Sequence, residues 1–312
     1  MTSPNRCHDE PAGAASFGRG TRVTVRRLEE ILGTLDAEGK LDGLPFMPEM
    51  IPLCGRTFRV HRRAERTCVE GVGLRGMRGS VLLEGARCDG SDHQGCQRGC
   101  LLFWRNAWLR PADGGAATEA GRPAALAAPQ LPTRRDDKFF CQSTELLGAT
   151  SELETTNLKA YLHDLWTGEV RLPRFVHVLW LALVTRVRRQ LRLPTFFDLH
   201  GDPQETAPVG ELNLQPGELV QVKGLADILP TLDPKGCNRG LTFEPGMTLH
   251  CGRRYRVLGQ VATIISEKTG KTVKLRNTVI LDGVVCEGIC VQNCPRANYF
   301  YWRECWLERV EA

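Results

Sequence analysis

Apolar positions along this chain change period twice within a short stretch, and the same succession returns in its second half. "RVTV" from Arg22 alternates apolar and polar residues as a half-buried strand does, and "LEEILGTLD" then places Leu28, Ile31, Leu32 and Leu35 on one helical face. "RTFRV" and "SVLLEG" alternate again. The spacing predicts a small unit of several strands with one short helix. Between the two halves, Pro173 and Pro194 bracket "RFVHVLWLALVTRVRRQLRL", which predicts a helix whose first half is apolar nearly all round and whose second half carries Arg186, Arg188, Arg189 and Arg192.

The recurrence is a duplication. "GTRVTVRRLEEILGTLDAEGKLDGLPFMPEMIPLCGRTFRV" from Gly20 aligns without a gap on "GELVQVKGLADILPTLDPKGCNRGLTFEPGMTLHCGRRYRV" from Gly217. After one single-residue adjustment, "SVLLEGARC" meets "TVILDGVVC" and "FWRNAWL" meets "YWRECWL". Two copies separate packing from chemistry. Positions apolar in both, such as Val23/Val220, Val25/Val222, Ile31/Ile228, Leu35/Leu232 and Phe46/Phe243, are core positions. Gly39/Gly236 and Gly43/Gly240 supply turns with positive φ, and Met50/Met247 are packing residues rather than copper ligands.

The expected fold class is therefore α+β, mostly β: two tandem small β-barrel-like modules of the Src-homology or KOW kind, joined by a linker and a helical segment. The boundaries run as a disordered tail at 1–19, a first cysteine-bearing module at 20–110, an Ala/Gly/Pro-rich linker at 111–137, a helical segment at 138–194, a linker at 195–216 and a second module at 217–312. "TNLKAYLHDLW" adds further helical spacing to the middle segment.

At 312 residues the chain is long enough for two domains, each with its own core. A 42% hydrophobic and 25% charged composition is that of a globular protein, and a net charge of +5 is modest for a purely electrostatic nucleic-acid binder. The N-terminus has no apolar h-region, and no run reaches the roughly 18–20 apolar residues of a transmembrane helix, so the expected location is cytoplasmic with no transmembrane segment.

Thirteen cysteines in such a chain point to thiols or metal ligands before a disulfide framework. In the first copy Cys54, Cys88, Cys96 and Cys100 form a candidate set. Four thiolates at about 2.3 Å would close a tetrahedral zinc site, worth on the order of 10–16 kcal/mol of folding. The second copy offers Cys251, Cys286, Cys290 and Cys294, with Asn298 in place of Cys100. Zinc is the expected metal and an iron–sulfur cluster the alternative, because both are held by four thiolates; buried cysteines acting simply as small apolar residues are the plain alternative. His93 faces Val291 in the alignment and reads as a solvated loop histidine. Cys141 in "KFFCQSTEL" is a candidate reactive thiol.

"LNLQPGELVQVKG", "TVILDGVVC", "CPRANYFYWRECWLERV" and "GLPFMPEMIPLCGRTFRV" resemble motifs of an uncharacterised bacterial family that carries this duplicated cysteine-bearing module. The resemblance covers the chain apart from its N-terminal tail and linker, and it implies no activity, fold or ligand.

Enzyme signatures are missing. There is no G-x-S-x-G elbow, phosphate-cradling G-x-x-x-x-G-K-[ST], H-E-x-x-H or strand-borne G-x-G-x-x-G. "DAEGKLDG" is a turn, since its counterpart "DPKGCNRG" lacks the acids of a calcium loop. "FWRNAWLR" and "YFYWRECWLER" alternate aromatic residues with arginine, a pattern that can stack RNA bases but more often closes a barrel. The functional expectation is a metal-stapled tandem binding or scaffold protein that recognises a protein or carrier partner. The alternatives are a metal-dependent or iron–sulfur redox enzyme with a diverged second site, and an RNA-binding protein. Residues 174–193 could also make a peripheral membrane contact.

Overall fold

The computed structural model describes residues 16–112, 131–153, 172–193, 195, 198–201, 211–288 and 293–310. The tail at 1–15, most of the 111–137 linker, "TNLKAYLHDLW" and Cys290 lie outside the described residues.

The protein is mostly β, with a sheet curled into a half-barrel and a second sheet. In chain order the first half holds β1 (Arg22–Val25), α1 (Leu28–Leu32), β2 (Thr57–Arg63), β3 (Arg66–Val69), β4 (Gly73–Gly76), β5 (Ser80–Arg87), β6 (Leu101–Arg105) and β7 (Leu109–Pro111). After α2 (Gln142–Glu145) and α3 (Leu172–Gln190) come β8 (Leu219–Val222), α4 (Leu225–Ile228), β9 (Arg254–Gln260), β10 (Thr263–Ile265), β11 (Thr272–Lys274), β12 (Thr278–Leu281), β13 (Trp302–Arg303) and β14 (Leu307–Arg309). The first sheet runs β6-β5-β2-β1-β7 and the second β13-β12-β9-β8-β14, antiparallel throughout. The β3–β4 and β10–β11 hairpins stand off these sheets at equivalent places.

Register and curvature repeat as well. Val23 pairs with Phe58 and Val25 with Leu109, as Val220 pairs with Tyr255 and Val222 with Leu307. A bulge between Val60 and Arg62 on β2 recurs between Val257 and Gly259 on β9. An extra residue at that point adds local twist, which curls the sheet.

Each sheet wraps an aromatic core. Phe46 meets Trp104 and Trp108 edge-on at 6.5 and 5.5 Å, and Phe243 meets Trp302 and Trp306 at 6.2 and 5.2 Å. The indole N–H of Trp108 donates to Thr34 Oγ1, as that of Trp306 does to Thr231 Oγ1. The arginines between the tryptophans are buried too. Arg105 donates to the carbonyls of Leu41, Asp42 and Arg78, and Arg303 to those of Asn238, Arg239 and Arg276. All four tryptophans of the aromatic–arginine strips are fully buried and pack in these cores.

Helix α3 starts one residue before Pro173 and carries exposed Val176, Trp180, Leu183 and Val187 along one side. Among the described residues no helix is long and apolar enough to cross a membrane.

Candidate functional site

The two halves meet through a reciprocal exchange. Each presents its cysteine-bearing loop to the stand-off hairpin of the other. On one side the Ile265 N–H of β10 donates to Cys96 Sγ at 3.3 Å, and on the other the Cys68 N–H of β3 donates to Cys294 Sγ at 3.2 Å. Cys96 and Cys294 are equivalent in the alignment, as are Cys68 and Ile265. The two glutamates that follow meet at the centre, where the Glu70 N–H donates to Glu267 Oε1 at 2.8 Å. Arg98 and its counterpart Arg296 both reach Glu267, at 3.3 and 2.7 Å. Arg87 closes the other edge, donating to the carbonyls of Gly99 and Ala297, again equivalent residues, while its guanidinium lies 4.2 Å from the Tyr299 ring centre.

At this junction lies a cavity of about 30 Å³. Cys88, Cys96 and Cys100 line it from the first half, Cys141 and Ser143 from the α2 segment, and Ile265 from the second half. The local chain explains the convergence. The loop between β5 and β6 folds back on itself, with the Cys88 N–H donating to the Cys100 carbonyl at 2.8 Å. Gly90 holds φ +70°, and a Cβ there would stand 2.1 Å from the Cys96 carbonyl oxygen, so only glycine permits this close turn. Gly288 does the same against Cys294 in the second half, where the Cys286 N–H donates to the Asn298 carbonyl.

Three of the four thiols expected from the first copy are thus together. Cys54 is not with them: it caps the 3-10 turn Pro48–Leu53, its Sγ 3.9 Å from the Met50 carbonyl oxygen. Its place on the cavity wall is taken by Cys141, whose sequence position outside both copies gave no spacing signal. The thiols have separate partners. Cys100 Sγ lies 3.3 Å from Ser143 Oγ and Cys96 Sγ accepts from Ile265, and among the described residues no three His, Cys, Asp or Glu side chains stand in a metal-holding arrangement. Burial pushes the Cys88 and Cys96 thiols above their ordinary range. It also raises Cys141 to about 11, which is the reverse of an activated nucleophile.

In the second half the expected set is divided. Cys251 and Cys286 border the second core, while buried Cys294 faces out of it toward Cys68.

His93 is not a solvated loop residue. It is 2% exposed, with Nδ1 2.5 Å from Glu49 Oε1 and Nε2–H donating to the Phe140 carbonyl at 3.0 Å. Burial opposes its charge, but the Glu49 hydrogen bond, the Phe140 carbonyl and the Glu49 charge together hold its pKa above the usual value. With both ring nitrogens occupied, His93 pins the cysteine loop to the Pro48–Leu53 turn and to the α2 segment. The second half has Gly246 in place of Glu49, so this tie exists once.

No protein family, curated protein or solved structure matches the chain.

Proposed function

We propose that the chain is a non-catalytic binding or scaffold protein made of two Src-homology-like β units, in which one soft metal ion, zinc before others, held by Cys88, Cys96, Cys100 and Cys141, ties the cysteine loop of the first unit to the α2 segment. The observation that carries this reading is the convergence of these four thiols on one cavity at the junction between the halves. The strand order, with the last strand beside the first and a 3-10 turn before it, supports the Src-homology likeness of each unit.

The donor chemistry suits such an ion once the side chains turn toward it. Four thiol sulfurs are the ligands of closed structural zinc sites, which keep no open position for chemistry. A cavity of about 30 Å³ holds one or two water-sized bodies, which suits a single ion better than a multi-iron cluster. Four thiolates around a divalent ion leave net negative charge, which Arg98 on the cavity wall and Arg296, donating to the wall residue Ser143 at 3.4 Å, would offset. Cys100 would turn from Ser143, and Cys96 from the Ile265 N–H, to reach an ion.

Metal analysis of the purified chain tests this directly, with one zinc per chain expected. Cys141→Ser and Cys100→Ser should lose the metal, whereas Cys54→Ser should keep it. A metal-free chain whose melting is unchanged by chelator sinks the proposal, and bound iron with sulfide moves the reading to the redox alternative.

A further inference from the structure

A second thiol site lies across the same junction and shares no residue with the first. Cys68 on β3 and Cys294 on the opposite loop hold their sulfurs 3.0 Å apart, closer than two unbonded sulfurs pack and about 1 Å longer than a disulfide bond. Their surroundings prepare one of them as a nucleophile. Cys294 Sγ accepts the Cys68 N–H, and the Arg296 guanidinium, itself 4% exposed, donates to the Cys68 carbonyl at 2.9 Å. The Cys68 thiol, the nearby backbone N–H groups and the Arg296 charge outweigh burial and hold Cys294 below the ordinary thiol range, while Cys68 is pushed up and keeps the proton. Cys68, directly beside Cys294, is partly exposed.

We infer that Cys68 and Cys294 form a peroxide-sensitive disulfide that covalently locks the two halves of the chain. The Cys294 thiolate attacks one oxygen of hydrogen peroxide. The S–O bond forms as the O–O bond breaks, and the departing hydroxide takes a proton to leave as water. The Cys68 thiol then attacks the resulting sulfenic sulfur, forming the S–S bond and releasing a second water with its own proton. Two thiols lose two electrons and one peroxide is reduced to two waters; a dithiol reductant reverses the change.

The second half marks Cys68 as an addition to the packing. Ile265 occupies the equivalent place and makes the equivalent backbone hydrogen bond to Cys96. Cys68→Ile therefore removes the thiol while installing the residue that the fold already accepts there.

The test is peroxide titration of the full, reduced chain as purified, followed by alkylation, digestion and mass spectrometry without reduction. The expected result is a peptide pair linked Cys68–Cys294 as the first disulfide to form, released by dithiothreitol and absent from Cys68→Ile, with a higher melting temperature for oxidised than for reduced wild type and no such difference in Cys68→Ile. Recovery of both cysteines alkylated while other cysteines are oxidised would overturn the inference, as would a first disulfide between any other pair. Both readouts are independent of whether the neighbouring thiols bind metal.

Discussion

The carboxylate of Glu267 is the point on which the contact between the two halves turns, and its replacement by glutamine gives a quantitative test. The side chain is 2% exposed, and its two oxygens accept from the Glu70 N–H, from Arg98 and twice from Arg296, the closest at 2.7 Å. Arg296 is 5% exposed at its side chain. Glu267→Gln keeps the volume and removes the charge, leaving a buried guanidinium without its counterion. Breaking a buried pair from one side costs about 3–5 kcal/mol. The equivalent Glu70 is an internal control. Its side chain is half exposed and meets Arg98 at 3.4 Å, a surface pair worth about 0–1 kcal/mol, so Glu70→Gln should be nearly silent. Urea unfolding followed by tryptophan fluorescence reads both changes. The expected result is a lower midpoint with unchanged slope for Glu267→Gln, a folding constant reduced about a hundredfold or more, and a near-wild-type curve for Glu70→Gln. Adding Arg296→Met to Glu267→Gln should recover part of the loss, because the uncompensated charge is gone. If Glu267→Gln falls within about 1 kcal/mol of Glu70→Gln, the charge cluster is not part of the cooperative fold.

Two further perturbations use the same internal comparison. His61 is held near pH 4, below its ordinary 6.5, first by burial and then by Arg62, Arg19 and Arg87. A depressed histidine favours the folded state fully above about 6.5 and loses that contribution as pH falls toward 4. The full shift corresponds to about 3.4 kcal/mol, and solvent at this partly exposed position reduces it to about 1–2 kcal/mol. His61→Leu, matching Leu258 in the second half, should flatten the stability profile between pH 6.5 and 4; an unchanged slope in denaturant titrations would refute the burial argument. Gly90→Ala should cost more than about 2 kcal/mol and speed the reaction of Cys88 and Cys96 with a thiol reagent, because its Cβ meets the Cys96 carbonyl. Gly85→Ala, at φ +73° with open space around it, should cost about 1 kcal/mol by thermal unfolding.

Much of the fold was legible because the chain states it twice. Paired apolar positions such as Val23/Val220 and Phe46/Phe243 are fully or nearly fully buried, and the glycine pairs at 39/236 and 43/240 do hold positive φ. The arginines at 105 and 303 were harder, because alternation of aromatic and basic residues is common to a barrel edge and to a base-stacking surface. Only their three carbonyl partners decide between these. Burial of His93 was not legible, since its anchor Glu49 lies in another turn and has no counterpart in the second copy. Cys141 was missed as a wall of the cavity for a related reason: pattern matching between copies cannot see a residue that belongs to neither.

The junction also changes what a shared cysteine means. Cys96 and Cys294 are shared because each accepts the backbone N–H of the other half's hairpin, which is an assembly role that both copies need. A symmetric role of that kind leaves no special chemistry at the shared position alone. Chemistry enters where the copies differ: Cys68 against Ile265 adds a second sulfur beside Cys294, and Cys100 against Asn298 adds a thiol to a wall that Cys141 completes from outside. Cys68 sits next to a shared sulfur already fixed in place by a backbone hydrogen bond, so one further side chain turns a structural acceptor into a two-sulfur site. The duplication therefore supplies the frame, and divergence between the copies supplies the two candidate thiol sites at the junction.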